Sequence, residues 1–272
     1  MKTTGNTRKP IRAWILNDTR PENHHGCTTV MDNLAAGLQA NGFDICGTIL
    51  LGANWQDSRA ELANAQIIII NGEGSIHHDN PYARTLLKVV ELGQELQIPV
   101  VLLNTLWQDN GPDLLESARQ LDTIAVRDSL SGEELSSHGI NNQVTADLTF
   151  FTQYPARDSG LHTTVGGTDS VYDTLTYELQ ALCRQRGFRF LPVLETPRLS
   201  LDDPTAAAKL LIARVTPQSL RQQFFSRRIY RLLTDCSPDR PSYIDAPTSC
   251  SVVICARFHS LCFCLQNEIP VL

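Results

Sequence analysis

The sequence predicts an α/β protein with two doubly wound domains, and three observations carry that prediction. Short apolar runs alternate with amphipathic stretches of helical period, as parallel strands joined by helical crossovers require. Four consecutive isoleucines, Ile67 to Ile70, occupy one of these runs, and only a strand covered on both faces buries them all. Polar residues collect directly after the strand candidates, where open parallel sheets bind ligands.

Taken in order, Ile11 to Leu16 reads as a strand and Asn17 to Cys27 as a loop. A helix fits Thr28 to Ala40, with Val30, Leu34 and Leu38 on one face and Asn41-Gly42 as its stop. Asp44 to Leu51 is a second strand, and Gln66 to Asn71 is a central strand running into the glycine loop Gly72-Glu73-Gly74-Ser75. A helix over Tyr82 to Leu96 turns Leu86, Val90 and Leu96 inward, followed by strands at Val100 to Asn104, Thr123 to Val126 and Gln143 to Ala146.

The pattern restarts after Pro155 to Arg157, which sets domains at 1–157 and 158–272. The second has a strand at His162 to Gly166, a helix at Val171 to Gln185 stopped by Gly187, and a strand at Phe188 to Leu194. Pro197 to Pro204 is a loop, Thr205 to Arg214 and Pro217 to Thr234 are helical, and Val252 to Cys255 and His259 to Gln266 form a last strand and helix. The chain stops on the apolar run Ile269 to Leu272, of strand type and uncovered by anything after it, so the second domain is expected to be incomplete.

Composition bounds the function. Of 272 residues 42% are apolar and 19% charged, with 23 basic against 29 acidic, which supports a large core and argues against disorder. Residues 1–157 carry 11 basic and 18 acidic side chains and the remainder 12 and 11, so neither half is basic enough for a nucleic-acid protein by bulk charge. Met1 to Pro10 is polar and no apolar run approaches bilayer length, so no transmembrane segment is expected and the cytoplasm is the expected location. The eight cysteines include no CxxC pair and read as reduced core residues, with disulfides or a zinc-thiolate site as the alternative.

Five of the seven histidines (His24, His25, His77, His78 and His259) follow strand candidates, which points to a site there rather than to scattered surface positions. Arg257-Phe258-His259 lies between the apolar segments Val252 to Cys255 and Leu261 to Leu265, at a strand-to-helix junction. A guanidinium so placed requires an anion, either an internal aspartate or a ligand carboxylate or phosphate at the helix N-terminus. Arg127-Asp128-Ser129 also ends a strand, and there Asp128 serves equally well as a helix cap. The adjacent pairs His24-His25 and His77-His78 lack HxH or HxxxH spacing, so no metal site is expected.

In combination these segments resemble the polysaccharide pyruvyl transferase family. Asn23-His24-His25-Gly26 before a helix resembles its N-terminal glycine loop, and Asn71-Gly72-Glu73-Gly74-Ser75-Ile76-His77-His78-Asp79 its GGGS-type segment. Val126-Arg127-Asp128-Ser129-Leu130-Ser131, with Leu135 and Gly139-Ile140, resembles its VRDxxS…L…G motif. Ala146-Asp147-Leu148 resembles its short Asp segment, and Arg257-Phe258-His259 with Pro270 downstream its RxH motif.

The resemblance implies two Rossmann-like domains facing a cleft in a glycosyltransferase-B-like arrangement. It also implies transfer of the pyruvyl group of phosphoenolpyruvate to a sugar or glycan acceptor, as a ketal, with the donor as substrate and no resident cofactor. Carried onto this chain, it implies Arg127 and Arg257 on the donor's anions, His259 as general acid or phosphate contact, and His77 or His78 in acceptor deprotonation or a further phosphate contact. Gly72, Gly74, Ser75, Asn23 and Gly26 complete the expected binding residues. The competing expectations are a nucleotide-sugar glycosyltransferase of the same layout and a non-catalytic glycan- or anion-binding relative, with a homo-oligomer open to either.

Overall fold

The structure, a computed structural model, describes residues 9–152, 163–195 and 240–272, with isolated positions between 208 and 237. The chain divides into two compact units, Met1–Pro21 with Val30–Leu148, and Glu22–Thr29 with Thr149–Leu272. This division falls earlier than residue 157 and transfers Glu22–Thr29 to the second unit. Main-chain bonds account for the transfer: the His25 amide donates to the Val193 carbonyl at 3.0 Å, and His24 forms an antiparallel bridge with Leu194.

The first unit is an α/β unit around one six-stranded parallel sheet. Its strands β1 (Ile11–Asp18), β2 (Phe43–Leu50), β3 (Ile67–His77), β4 (Val100–Gln108), β5 (Thr123–Val126) and β6 (Gln143–Val144) lie in the order β2-β1-β3-β4-β5-β6. The isoleucine run behaves as expected of a strand covered on both faces. Ile68 and Ile70 join the core that holds Leu87, Val90, Leu102 and Trp107, and Ile69 joins the opposite one with Ile15, Met31 and Leu34. All three isoleucines are at most 1% exposed.

Three expected elements change shape. The glycine segment continues β3 to His77 instead of forming a loop, because β3 pairs with β4 through Glu73–Thr105, Ile76–Trp107 and His77–Gln108. The same pairing lengthens β4 to Gln108, beyond the strand end expected at Asn104. The helix expected over 82–96 is two helices, α3 (Pro81–Leu87) and α4 (Val89–Leu96), divided where Lys88 takes a tighter turn at ψ −13°. The first helix, α1, covers His25–Ala40 and so begins earlier than expected, because His24 caps it. The short helix α2 (Arg59–Leu62), α5 (Pro112–Arg119) and α6 (Ser129–Ser137) complete the unit.

The second unit holds the parallel sheet β11-β7-β8, formed by β7 (Thr164–Thr168), β8 (Arg189–Leu191) and β11 (Cys250–Ile254), and the parallel pair β9 (Leu194–Glu195) and β10 (Cys236–Ser237). Its helices are α7 (Asp173–Arg186), α8 (Arg240–Thr248) and α9 (Phe258–Gln266). Gly187 ends α7 in the left-handed region at φ +68°, as a glycine stop signal requires. The strand expected at 188–194 is divided between β8 and β9. The terminal apolar run is paired: Leu272 donates to Val253 at 3.0 Å and Val253 to Pro270 at 2.9 Å, which seats Val271 beside β11. The expected boundary at 155–157 and loop at 197–204 lie outside the described residues, and so do the helices at 205–214 and 217–234 except for three helical positions in the first.

Candidate functional site

In the first unit the strand order reverses between β1 and β3, the switch point where the strand ends of a doubly wound sheet leave room for a ligand. Three neighbouring strands each place a non-glycine residue in the left-handed region there: Asn17 (φ +66°), Glu73 (φ +40°) and Asn104 (φ +55°). Strain of this kind is held only where surrounding bonds over-determine it, and the bonds are present. Asn17 donates to the Asn71 carbonyl at 2.6 Å and to Ser75 Oγ at 3.2 Å, and accepts from the Tyr82 hydroxyl at 3.0 Å. The Glu73 carboxylate, 5% exposed, accepts from Thr19 Oγ1 at 2.5 Å and Asn71 Nδ2 at 2.8 Å through the same oxygen, Oε1.

Arg127 follows β5, and its side chain is 8% exposed, with Nη1 3.3 Å from Asp147 Oδ2. A Cβ on Gly74 would lie 3.8 Å from Arg127 Nη2, so the glycine segment and the guanidinium share one site. Gly72 has another duty: a Cβ there would lie 2.3 Å from Thr105 Cβ, so its missing side chain is what lets β3 and β4 pack. Asp18, 1% exposed, binds Arg20 and accepts from Thr48 at 2.9 Å. Burial alone would raise its carboxyl, but the hydrogen bonds from Arg20 and Thr48 outweigh burial and hold it below the usual range.

His77 ends β3 and His78 follows it. Their Nδ1 atoms are 3.0 Å apart, His78 Nε2 is 3.3 Å from Asp109 Oδ2, and the His78 side chain is 58% exposed. Asp128 caps α6, accepting from the Ser131 amide at 2.8 Å, so it is the helix cap that its sequence position allows.

The second unit builds a denser cluster. Arg257, the N-cap of α9, donates from Nε at 3.0 Å and Nη2 at 2.8 Å to Asp169 Oδ2, while Asp169 Oδ1 accepts from the Val193 amide at 2.9 Å. Of the two anions open to Arg257, the internal aspartate is therefore present. Its Nη1 keeps its donors clear of any protein acceptor among the described residues. His259, on the first turn of α9 and 7% exposed, packs on Gly26, where an added Cβ would lie 2.3 Å from His259 Cβ. The rings of His24 and His259 meet edge to face with centroids 5.2 Å apart. His25 stacks on Tyr243 at 4.9 Å, and the Tyr243 hydroxyl lies 2.6 Å from Ser260 Oγ. Asn23, at φ +51°, turns the chain into this segment.

His24 Nδ1 accepts from the amides of Gly26 at 3.0 Å and Cys27 at 3.4 Å, an N-cap made by an imidazole lone pair. That bonding needs the neutral ring. Burial, with the nearby charges of His259 and Arg257, holds its pKa well below the ordinary histidine value. The unfolded chain takes up a proton near pH 6.5 that the folded chain refuses. The stabilisation is thus complete above about pH 6.5 and is lost as pH falls below it, by up to about 1.4 kcal/mol per unit. Urea unfolding at pH 5.5 and 7.5 should show this loss in the wild type and a smaller one in His24→Asn, whose amide still caps the helix without titrating.

His24, Cys27 and His259 each bring one ligand atom within 4.8 Å of the others, a possible cation set. The bonding is unfavourable to it: metal at His24 Nδ1 would displace two amide bonds, metal at Nε2 would require an imidazolate, and the Arg257 cation acts on the same ring.

Sequence reasoning reached Arg127, Arg257, His259, Asn23, Gly26, Gly74 and Ser75, and the structure groups Arg127, Gly74 and Ser75 in the first unit and Asn23, Gly26, Arg257 and His259 in the second. It missed Asp169 and Tyr243, which no local motif marks, and His24 as a cap, because histidine is not a usual capping residue.

The sequence profile described as "Polysaccharide pyruvyl transferase" matches residues 15–272. The chain belongs to the polysaccharide pyruvyl transferase family. No curated protein matches the sequence. Among solved structures, similarity extends to an alpha-glucosyltransferase in complex with UDP and a mismatched 13-mer DNA (10% identity, covering 90% of this chain and 71% of that one, TM-score 0.42). It also extends to the Salmonella typhimurium RcsB response regulator (11% identity, 88% and 99% covered, TM-score 0.29). In this pyruvyl transferase family member the RxH segment forms the junction of β11 and α9, and the glycine-rich segment is the end of a central strand. Among the described residues no helix is long and apolar enough to cross a membrane.

Proposed function

We propose that this protein moves the pyruvyl group of phosphoenolpyruvate onto a sugar of a polysaccharide or glycan precursor in the cytoplasm, forming a ketal and releasing phosphate. Family membership supplies the reaction class. The single observation that supports the donor assignment is Arg257, nine-tenths buried at the N-terminus of α9, with Nη1 unengaged among the described residues and His259 two residues on. A carboxylate or phosphate there meets a guanidinium and a favourable helix dipole.

The chemistry then divides by residue type. Arg257 binds an anion of the donor, and His259 either supplies the proton that the methylene carbon gains or holds the phosphate. That proton develops positive character at the central carbon, which two sugar hydroxyls attack in turn as the phosphate leaves. In the first unit Asn17, Glu73 and Ser75 present polar groups suited to sugar hydroxyls, and His77 or His78 takes the hydroxyl proton. The donor is consumed as a substrate, and no resident cofactor enters the reaction.

Thermal unfolding with phosphoenolpyruvate tests this directly. At a hundred times its dissociation constant a ligand stabilises by about 2.7 kcal/mol, which raises Tm by roughly 5–10 °C for a chain of this size. Phosphoenolpyruvate should produce that rise where UDP, GDP and EDTA do not, and Arg257→Ala should lose it. A larger rise with a nucleoside diphosphate would assign the site to a glycosyltransferase donor.

A further inference from the structure

Half of the eight cysteines, Cys250, Cys255, Cys262 and Cys264, fall between the start of β11 and the end of α9. Cys255 and Cys264 are in the thiol form, and the site described above uses none of the four. Cys255 Sγ and Cys264 Sγ lie 3.8 Å apart in direct contact, Cys255 just beyond β11 and Cys264 two turns into α9. Both belong to the apolar cluster of Leu191, Val253 and Ile269, where Cys264 is 1% exposed and Cys255 is partly open to solvent. A sulfur–sulfur bond is about 2.05 Å long, so the two atoms need to approach by less than 2 Å.

We propose that Cys255 and Cys264 are an oxidative modification site, a thiol pair that peroxide converts to an intramolecular disulfide. The partly exposed Cys255 thiolate attacks a peroxide oxygen. The O–O bond breaks, hydroxide leaves and takes up a proton as water, and a sulfenic acid remains on Cys255. The Cys264 sulfur then attacks the Cys255 sulfur, and the S–O bond breaks with loss of a second water. Two thiols and one hydrogen peroxide thus give one disulfide and two waters.

The division of roles follows from the contact. The hydrogen bond it shares with Cys264 holds the Cys255 thiol below its ordinary value, while the same contact and burial push the Cys264 thiol up. The closed loop contains Arg257 and His259, so drawing the sulfurs together moves the start of α9 against Asp169, the residue after β7. That second consequence rests on the proposed donor site, whereas bond formation does not.

The experiment treats the full chain with hydrogen peroxide, blocks remaining thiols, and maps peptides by mass. Trypsin cuts after Arg257, so the bond joins the peptide carrying Cys255 to the one beginning at Phe258, with a loss of 2 Da. Cys250→Ser and Cys262→Ser should retain the link, Cys255→Ser and Cys264→Ser should lose it, and Cys264→Ser should leave a dimedone-reactive sulfenic acid on Cys255. No link in the wild type, or one that survives Cys255→Ser, overturns the proposal. Oxidised protein should also lose at least half of its phosphoenolpyruvate-induced Tm shift and regain it with dithiothreitol. An unchanged shift in the oxidised protein overturns the coupling, and no shift in the reduced protein overturns the donor site while the mapping still decides the disulfide.

Discussion

Arg257→Ala is expected to lower pyruvyl transfer from phosphoenolpyruvate by about 100- to 1000-fold, the usual consequence of removing one preorganised donor to a charged reacting group. It should also destabilise the fold by roughly 3–5 kcal/mol. The second effect arises because Asp169, 0% exposed, loses the guanidinium that balances its buried charge. The two effects separate in the double variant Arg257→Ala/Asp169→Asn. The neutral amide can still accept from Val193 without leaving a buried charge, so urea unfolding should show less destabilisation than the sum of the single variants, while transfer stays lost. Full transfer by Arg257→Ala would remove Arg257 from the donor site and leave the Asp169 pair as its whole purpose.

Gly26→Ala should act nearly as strongly through shape alone. The added carbon would lie 2.3 Å from both Cβ and Cγ of His259, the rigid root of the side chain, so α9 or the start of α1 must move. Overpacking of this kind costs about 1–3 kcal/mol or more. A displacement of about 1 Å at a reacting group reduces turnover roughly 100-fold. Thermal unfolding and transfer assays on Gly26→Ala/His259→Gly distinguish the causes: removing the His259 side chain should recover part of the lost stability and none of the activity. Wild-type stability in Gly26→Ala would show that the segment accommodates a side chain and that Gly26 has no part in holding His259.

Much of this was legible in the chain. The isoleucine run announced a strand buried on both faces, because alternate side chains of a strand point to opposite sides and no amphipathic element absorbs four in a row. The polar residues after each strand announced the site, since strand ends are where a parallel sheet exposes backbone groups. The RxH and VRD segments were legible as charges at strand-to-helix junctions. The fate of those charges was not, because Asp169 and Asp147 are their partners and a sequence states no distances.

The glycine segment shows the same limit. Its glycines read as a loop open to a ligand, yet Gly72 serves strand packing and only Gly74 faces Arg127, a distinction set by which strand lies alongside. The transfer of Glu22–Thr29 to the second unit was likewise invisible, since it depends on bonds to residues about 170 positions later.

What the sequence determined by itself was the α/β class, the central strand and the family, because periodicity and short motifs are local properties of the chain. What the tertiary structure decided was the carboxylate that holds each arginine, the glycine that admits His259, the histidine that caps α1 and the two sulfurs that meet. Each of those depends on residues brought together by packing and main-chain pairing across long separations.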